Sequence, residues 1–270
     1  TPYPPEPLMT TPAPMPRLES GYCCETGSFR DRNEDACLTL TAEFGGHFAM
    51  WSLGLYVVAD GMGGHDAGHV ASDTATRVFA DYVLAQLYSP LLQRHPAPRE
   101  AHVLDLLERG VFAAHEAILK SNGNGGSTLT AALVLGSRLY VAHVGDSRAY
   151  LADASGLRLL TEDHSLVRRL QDTGQLTDED ARTYQYRNVL LQALGQESAL
   201  SADTFALDLS PGSTLLLCSD GLSAVVPAEE LAASLAADRA QAAAERLVAL
   251  ALARGSEDNV TAVVVRVGRE

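Results

Sequence analysis

The chain predicts an α+β fold with β-sheets sandwiched between layers of helix, and three observations carry that prediction. Two segments of helical period precede a run of β signals, two alanine-rich helical segments follow it, and an apolar strand closes the chain. At 270 residues, 46% of them hydrophobic, the chain can bury a substantial core. No linker-like stretch divides it. Residues 18–270 therefore read as one domain behind a disordered, proline-rich leader at residues 1–17.

Taken in order, residues 20–60 hold short strands, with Gly45-Gly46 turning the chain between Cys37-Leu38-Thr39-Leu40 and Met50–Ala59. From Ala67 the period becomes helical. Val70, Ala71, Thr74, Val78, Val83 and Leu87 form its apolar face, and Pro90 ends it. A second helix over Glu100–Lys120 sets Val103, Leu106, Leu107, Val111, Ala114 and Ile118 on one side. After the turn Asn122-Gly123-Asn124-Gly125-Gly126, the segments Thr128–Leu135, Arg138–Val144, Arg148–Ala152 and Leu157–Thr161 read as an antiparallel meander. Residues 163–195 are polar and weakly helical, as in a loosely packed surface subdomain. A strand at Thr214–Cys218, helices at Ala228–Ala237 and Arg239–Arg254, and a terminal strand at Val260–Val267 complete the pattern.

The formal charge of −14 argues against a surface that tracks nucleic acid or anionic membrane. Cys23, Cys24, Cys37 and Cys218 have neither zinc spacing nor the pattern of a secreted disulfide scaffold, which favours a reduced, cytoplasmic setting. No apolar run reaches the roughly 20 residues needed to span a bilayer.

The most informative stretch is Asp60-Gly61-Met62-Gly63-Gly64-His65, reached straight off Leu55-Tyr56-Val57-Val58-Ala59. A carboxylate at the end of a buried strand, followed by glycines, is a chelating corner. Cys218-Ser219-Asp220-Gly221 and Ser256-Glu257-Asp258-Asn259 repeat the design beside other apolar runs. Hard divalent cations take oxygen ligands, and Asp60, Asp220, Asp258 and the Gly61 carbonyl supply such a set. The segment Gly27–Asp35, with Arg30 and Arg32 ahead of Glu34 and Asp35, offers a guanidinium that can fork onto phosphate oxygens, and Asp146 adds a further acid between two strands. Taken singly, each has a plainer reading: Asp-Gly is a turn, Arg30 or Arg148 a surface ion pair, His65 a packing residue. The combination in this order is what speaks for one assembled site.

With those blocks in place, the chain resembles the PPM, or type 2C, metal-dependent protein serine/threonine phosphatases in their compact bacterial form. Arg30–Asp35, Val57–Ser72, Gly126-Ser127-Thr128, His143–Tyr150, Thr161–Ser165, Asn188–Gly195, Leu215–Leu222 and Ser256–Val260 match in family order across about residues 20–268. The resemblance implies a four-layer α-β-β-α sandwich of two central antiparallel sheets, a metal centre in a cleft at one end, and a flap at about residues 164–190. It implies two Mn2+ or Mg2+ ions. Asp60 would bridge them, Asp220 and Asp258 would complete one, and the Gly61 carbonyl the other. Glu34 and Asp35 would act through metal-bound water, Asp146 and Asp220 would hold a third ion, and Arg30 would bind the substrate phosphate.

The implied activity is hydrolysis of phosphoserine and phosphothreonine on proteins by direct attack of a metal-bridging hydroxide, in a monomer opposing a bacterial serine/threonine kinase. Two positions depart from the family. Met62 stands where many eukaryotic members have a histidine, so the general acid is unassigned and falls to a metal-bound water. Tyr184-Gln185-Tyr186-Arg187-Asn188 replaces a common histidine and proline in the flap, which leaves substrate preference open. A relative that binds phosphoproteins without turnover, or one dedicated to an anti-sigma-factor antagonist, are the competing readings. Cysteine-based tyrosine phosphatase chemistry is disfavoured, because no cysteine heads a glycine-rich loop ending in arginine, and Cys218 reads as core.

Overall fold

The structure, a computed structural model, describes residues 16–45, 50–63, 67–93, 98–121, 124–181, 184–197, 199–237 and 239–268. Most of the leader, the turn after Gly45, His65 and Asn122-Gly123 lie outside the described residues. Among the described residues no helix is long and apolar enough to cross a membrane.

The strands, in chain order, are β1 (Leu18–Glu25), β2 (Asp35–Gly45), β3 (Met50–Met62), β4 (Gly126–Ser127), β5 (Leu129–Leu135), β6 (Arg138–Val144), β7 (Arg148–Asp153), β8 (Gly156–Leu159), β9 (Asp203–Asp208), β10 (Thr214–Cys218) and β11 (Val260–Val267). One antiparallel sheet runs β1-β11-β10-β7-β8 and the other β2-β3-β5-β6-β9, with β4 paired to the end of β3. The helices are α1 (Ala67–Val83), α2 (Ser89–Leu92), α3 (Glu100–Lys120), α4 (Leu166–Asp172), α5 (Asp178–Ala181), α6 (Asp220–Ser223), α7 (Ala228–Leu235) and α8 (Ala240–Ala253).

Three apolar layers explain why the central strands read as continuous hydrophobic runs. Along β3, Leu55, Val57 and Ala59 face α1 and α3, whereas Tyr56 and Val58 face the other sheet. Along β11, Val260, Ala262 and Val264 pack under α7 and α8, and Val263, Val265 and Val267 meet the β3 side. A strand covered on both faces keeps its period of 2 while losing the polar half of the alternation. Each fully buried Leu or Val contributes about 2 kcal/mol of transfer free energy.

Several expectations are corrected. The segments read as one meander belong to two sheets: β5 and β6 pair with each other and β6 with β9, whereas β7 pairs with β8 and β10. The chain crosses at Gly145-Asp146-Ser147, where Gly145 takes φ 110°, a left-handed value open to glycine. Strand β9 was not anticipated from sequence. It is a half-buried edge strand with an aspartate at each end, so its pattern is faint.

In α1 the buried stripe is Ala71, Ala75, Phe79 and Val83, flanked by Ser72, Thr76 and Ala80. Val70 is 43% exposed, because the helix lies so close to the sheet that small residues face it. Pro90 does not end the helical run. A π-helical turn at Leu84–Tyr88 leads into α2, where Pro90 occupies the first turn and needs no N–H partner. α3 has the predicted limits and buries all six predicted apolar residues.

Candidate active site

Five aspartates from different parts of the chain approach one another where the two sheets meet. Asp35 opens β2 and stands opposite Asp60 in the β2–β3 register. Asp60 is fixed at its backbone: its N–H donates to Thr128 Oγ1 at 2.9 Å, and its carbonyl accepts from the Thr128 N–H at 2.9 Å and Ser127 Oγ at 3.1 Å. Asp220 is the first residue of α6, Asp146 lies in the β6–β7 crossing, and Asp258 stands two residues before β11.

The glycines here are a matter of space. A Cβ on Gly61 would lie 2.2 Å from the Gly68 carbonyl oxygen and 2.6 Å from that of Glu34. The Gly61 N–H donates to the same Glu34 carbonyl at 3.0 Å, and Ser72 Oγ donates to it at 2.5 Å. A Cβ on Gly68 would meet Glu34 Oε1 at 2.6 Å. The end of β3, the start of α1 and Glu34 are thus pressed together with backbone in contact. Met62 reaches over Gly126 instead, with its Cε 2.8 Å from where a Cβ there would stand.

Burial and mutual repulsion favour the protonated forms of Asp35, Asp60, Asp146 and Asp220. Burial, then Asp35, Asp220, Asp146 and Asp258, push the Asp60 carboxyl well above its ordinary range. Burial raises Asp35 to about 8 against two donors, Ser219 Oγ and Thr261 Oγ1, each 2.7 Å from its Oδ2. Burial, with Asp220 and Asp163 nearby, lifts Asp146 to about 8, while Arg148 opposes the shift. Asp220 is raised by burial and then by Asp258, with Asp60 within hydrogen-bonding reach.

The crossing that carries Asp146 is braced from several sides. Thr130 Oγ1 lies 2.9 Å from the Ser147 carbonyl, and Ser147 Oγ shares a 2.7 Å hydrogen bond with Thr128 Oγ1. The Gly145 N–H donates to His164 Nδ1 at 3.3 Å, and the His164 N–H donates to the Gly145 carbonyl at 2.7 Å. Fully buried His143, its ring tilted 49° to that of His164 with centroids 4.9 Å apart, hydrogen-bonds Thr130 Oγ1 and the Glu162 carbonyl, both at 3.0 Å. Arg148 grips Asp163 with two bonds of 2.9 and 2.7 Å. A cleft of about 1010 Å³ opens from Asp146 and Asp220 towards α4, α5 and Arg187.

Arg30 lies in the segment between β1 and β2, and its Nη2 donates to Asp258 Oδ2 at 2.7 Å. Burial disfavours its charge, and the Asp258 pair, with Glu34 and Asp60 behind it, more than restores it. Arg30 and Asp258 were singled out separately by sequence, and the structure brings them together. Sequence reading missed Asn259, Ser219 and Thr261, the side chains that hold the acids and the Arg30 segment. Asn and hydroxyl residues at strand ends beside Asp were the available signal.

Among the described residues, no three acidic, histidine or cysteine side chains enclose a ready cation site. Asp258 is instead engaged by the Arg30 guanidinium, and Asp60 lies within hydrogen-bonding reach of Asp220. The donor chemistry still fits hard divalent cations. The cluster is all oxygen, Oδ1 of Asp35 and Oδ1 of Asp220 are buried without a hydrogen-bond partner, and cations would relieve the repulsion.

A family model described as Protein phosphatase 2C matches residues 31–254. The serine/threonine phosphatase stp of Listeria monocytogenes serotype 4b (strain F2365) is 38% identical over 219 residues, 78% of this chain and 83% of the relative. The serine/threonine protein phosphatase PstP of Mycobacterium tuberculosis is 36% identical over 213 residues, 79% of this chain and 40% of that longer protein. The crystal structure of Mycobacterium tuberculosis PstP/Ppp superposes with a TM-score of 0.76 at 32% identity, covering 93% of this chain and 99% of the other. The PstP catalytic domain in complex with 2 manganese ions gives 0.75 at 32% identity over 93% and 98%.

Proposed function

The chain belongs to the protein phosphatase 2C family of metal-dependent serine/threonine phosphatases, and we propose that it hydrolyses phosphoserine and phosphothreonine on proteins at the Asp60 cluster. The observation that carries this site is the convergence of Asp35, Asp60, Asp146, Asp220 and Asp258, each from a separate segment, beside a guanidinium. In our reading Asp60, Asp220, Asp258 and the Gly61 carbonyl would hold two Mn2+ or Mg2+ ions, with Glu34 and Asp35 supporting them from the outer side, and Asp146 with Asp220 would hold a third. Such cations would supply charge neutralisation at phosphorus and acidify water.

The chain's own residues do the rest. Arg30, leaving Asp258, forks onto two phosphoryl oxygens and orients them. Burial of Asp60 and Asp220 excludes competing water and strengthens each electrostatic contact. The cleft towards α4 and α5 receives the substrate chain. We infer that the protein works as a monomer in the cytoplasm against a serine/threonine kinase. The supports are its acidic surface, its lack of a secreted cysteine pattern, and the kind of reaction it reverses.

The test is phosphate release from phosphothreonine, phosphoserine and phosphotyrosine peptides with Mn2+, with Mg2+ and with chelator. Turnover of the first two that disappears in chelator is expected. Equal turnover with chelator would refute the metal site, and none on any peptide would favour a binding-only relative.

A further inference from the structure

Between β1 and β2 the chain from Thr26 to Glu34 forms neither strand nor helix, so its shape depends on side chains that reach it. One side chain does most of this. Asn259, 4% exposed, accepts the Glu34 N–H on Oδ1 at 2.8 Å. Its Nδ2 donates to the Thr26 carbonyl and the Arg32 carbonyl, each at 2.9 Å. Arg30 lies inside the arc that these three bonds close.

Asn259 is itself immobilised. Its N–H donates to Asp258 Oδ1 at 2.9 Å, and its carbonyl oxygen would be 2.0 Å from a Cβ on Gly221, the residue after Asp220. Gly27, at φ 77°, presses the other end of the arc on the Asp258 carbonyl, 2.8 Å from where its Cβ would be. One amide therefore registers the Arg30 segment against the strand end that carries Asp258 and the helix start that carries Asp220.

We propose that Asn259 is a positioning residue for Arg30, setting where the guanidinium meets the substrate phosphoryl group through three hydrogen bonds to the Thr26–Glu34 backbone. This rests on the phosphatase reading above. Only an amide provides the acceptor and both donors in this geometry. An aspartate at 259 keeps the acceptor for Glu34 and puts one oxygen, with no proton to give, where Nδ2 faces both carbonyls.

Asn259→Ala and Asn259→Asp are compared in the wild type and in Arg30→Ala, measuring kcat and KM on a phosphothreonine peptide with saturating Mn2+. A misplaced guanidinium should raise KM or cut kcat/KM by about 10-fold or more. In the Arg30→Ala background either substitution should change kcat/KM by less than about 2-fold, because coupled residues do not add. Amide hydrogen exchange provides a readout independent of turnover. Protection at Glu34 should fall in Asn259→Ala and persist in Asn259→Asp, with β11 amides unchanged. Penalties that multiply with Arg30→Ala would overturn the proposal, as would a folded Asn259→Ala of unchanged kcat/KM. A wild type without turnover would sink the phosphatase reading instead, and unchanged Glu34 protection in Asn259→Ala would then overturn the positioning role.

Discussion

Asp35 and Asp60 stand directly opposite one another across the β2–β3 ladder, so their carboxyl groups emerge on the same face of one sheet. Two like charges there, with three more acids close by, make the site a store of electrostatic repulsion that protons or cations must relieve.

The first prediction is a pH dependence in chelator. Asp35 and Asp146 bind protons up to about 8 when folded and to 3.8 ordinarily, so the folded chain holds more protons between those limits. Stability is therefore fully present below pH 4 for these groups and is lost as pH rises towards 8. Thermal melts in chelator should show Tm at least about 2–4 °C lower at pH 8 than at pH 5, the scale of about 1 kcal/mol for a chain of this length. Mn2+ should remove that slope, and a flat Tm in chelator would contradict the acid cluster.

Asp60→Asn should separate function from stability. Turnover should drop at least about 10²-fold, as for loss of a group central to charge stabilisation. Melting in chelator at pH 8 should stay equal or rise, since the amide replaces a buried carboxyl whose ionisation burial and the neighbouring acids oppose. Full turnover by this variant would refute the assignment.

Glycines should differ by their surroundings. Gly61→Ala forces a methyl to 2.2 Å from a backbone carbonyl and should cost about 3 kcal/mol together with activity. Gly156→Ala, at φ 114° with nothing within 4 Å, should cost only about 1–2 kcal/mol of backbone strain and leave turnover intact. Urea unfolding and phosphatase assays on both variants test the contrast.

Burial, then His164, depresses His143 from 6.5 to about 4, despite Glu162, Asp163 and Asp203 nearby. The neutral ring's contribution is present above 6.5 and is lost as pH falls through 4. His143→Gln should lose about 1–3 kcal/mol at pH 7 from its hydrogen bonds. Its stability difference from wild type should narrow between pH 6 and pH 4.5. A difference that stays constant across that range would show that the ring does not titrate with unfolding.

Much of this was legible in the chain. The limits of α3 followed from clean periodicity and those of β11 from an unbroken apolar run, and Asp60 and Asp220 announced themselves by the glycines that follow them. Other features were hidden because the decisive information is spatial. The β6–β7 crossing looks like a hairpin turn until β9 and β10 are seen to claim the two strands. The predicted α1 face holds at Ala71, Val83 and Leu87 but not at Val70, because the stripe that meets β3 runs through Ala71, Ala75 and Phe79. Asn259 was invisible as a positioning residue because its three partners lie more than 220 positions away in sequence.

The crossing at Gly145-Asp146-Ser147 makes the active site a gauge of how the two sheets sit on each other. Asp60 rides on one sheet, Asp220 stands two residues past the end of a strand in the other, and Asp146 is hinged between them. A slip of the sandwich by a fraction of an ångström would change acid spacings without altering any acid. The inner layer of Tyr56, Val58, Leu151, Leu217 and Val263 thus works as the calibration of the instrument. Variation there would retune cation affinity from a distance, offering the fold an adjustment that leaves its chemistry untouched.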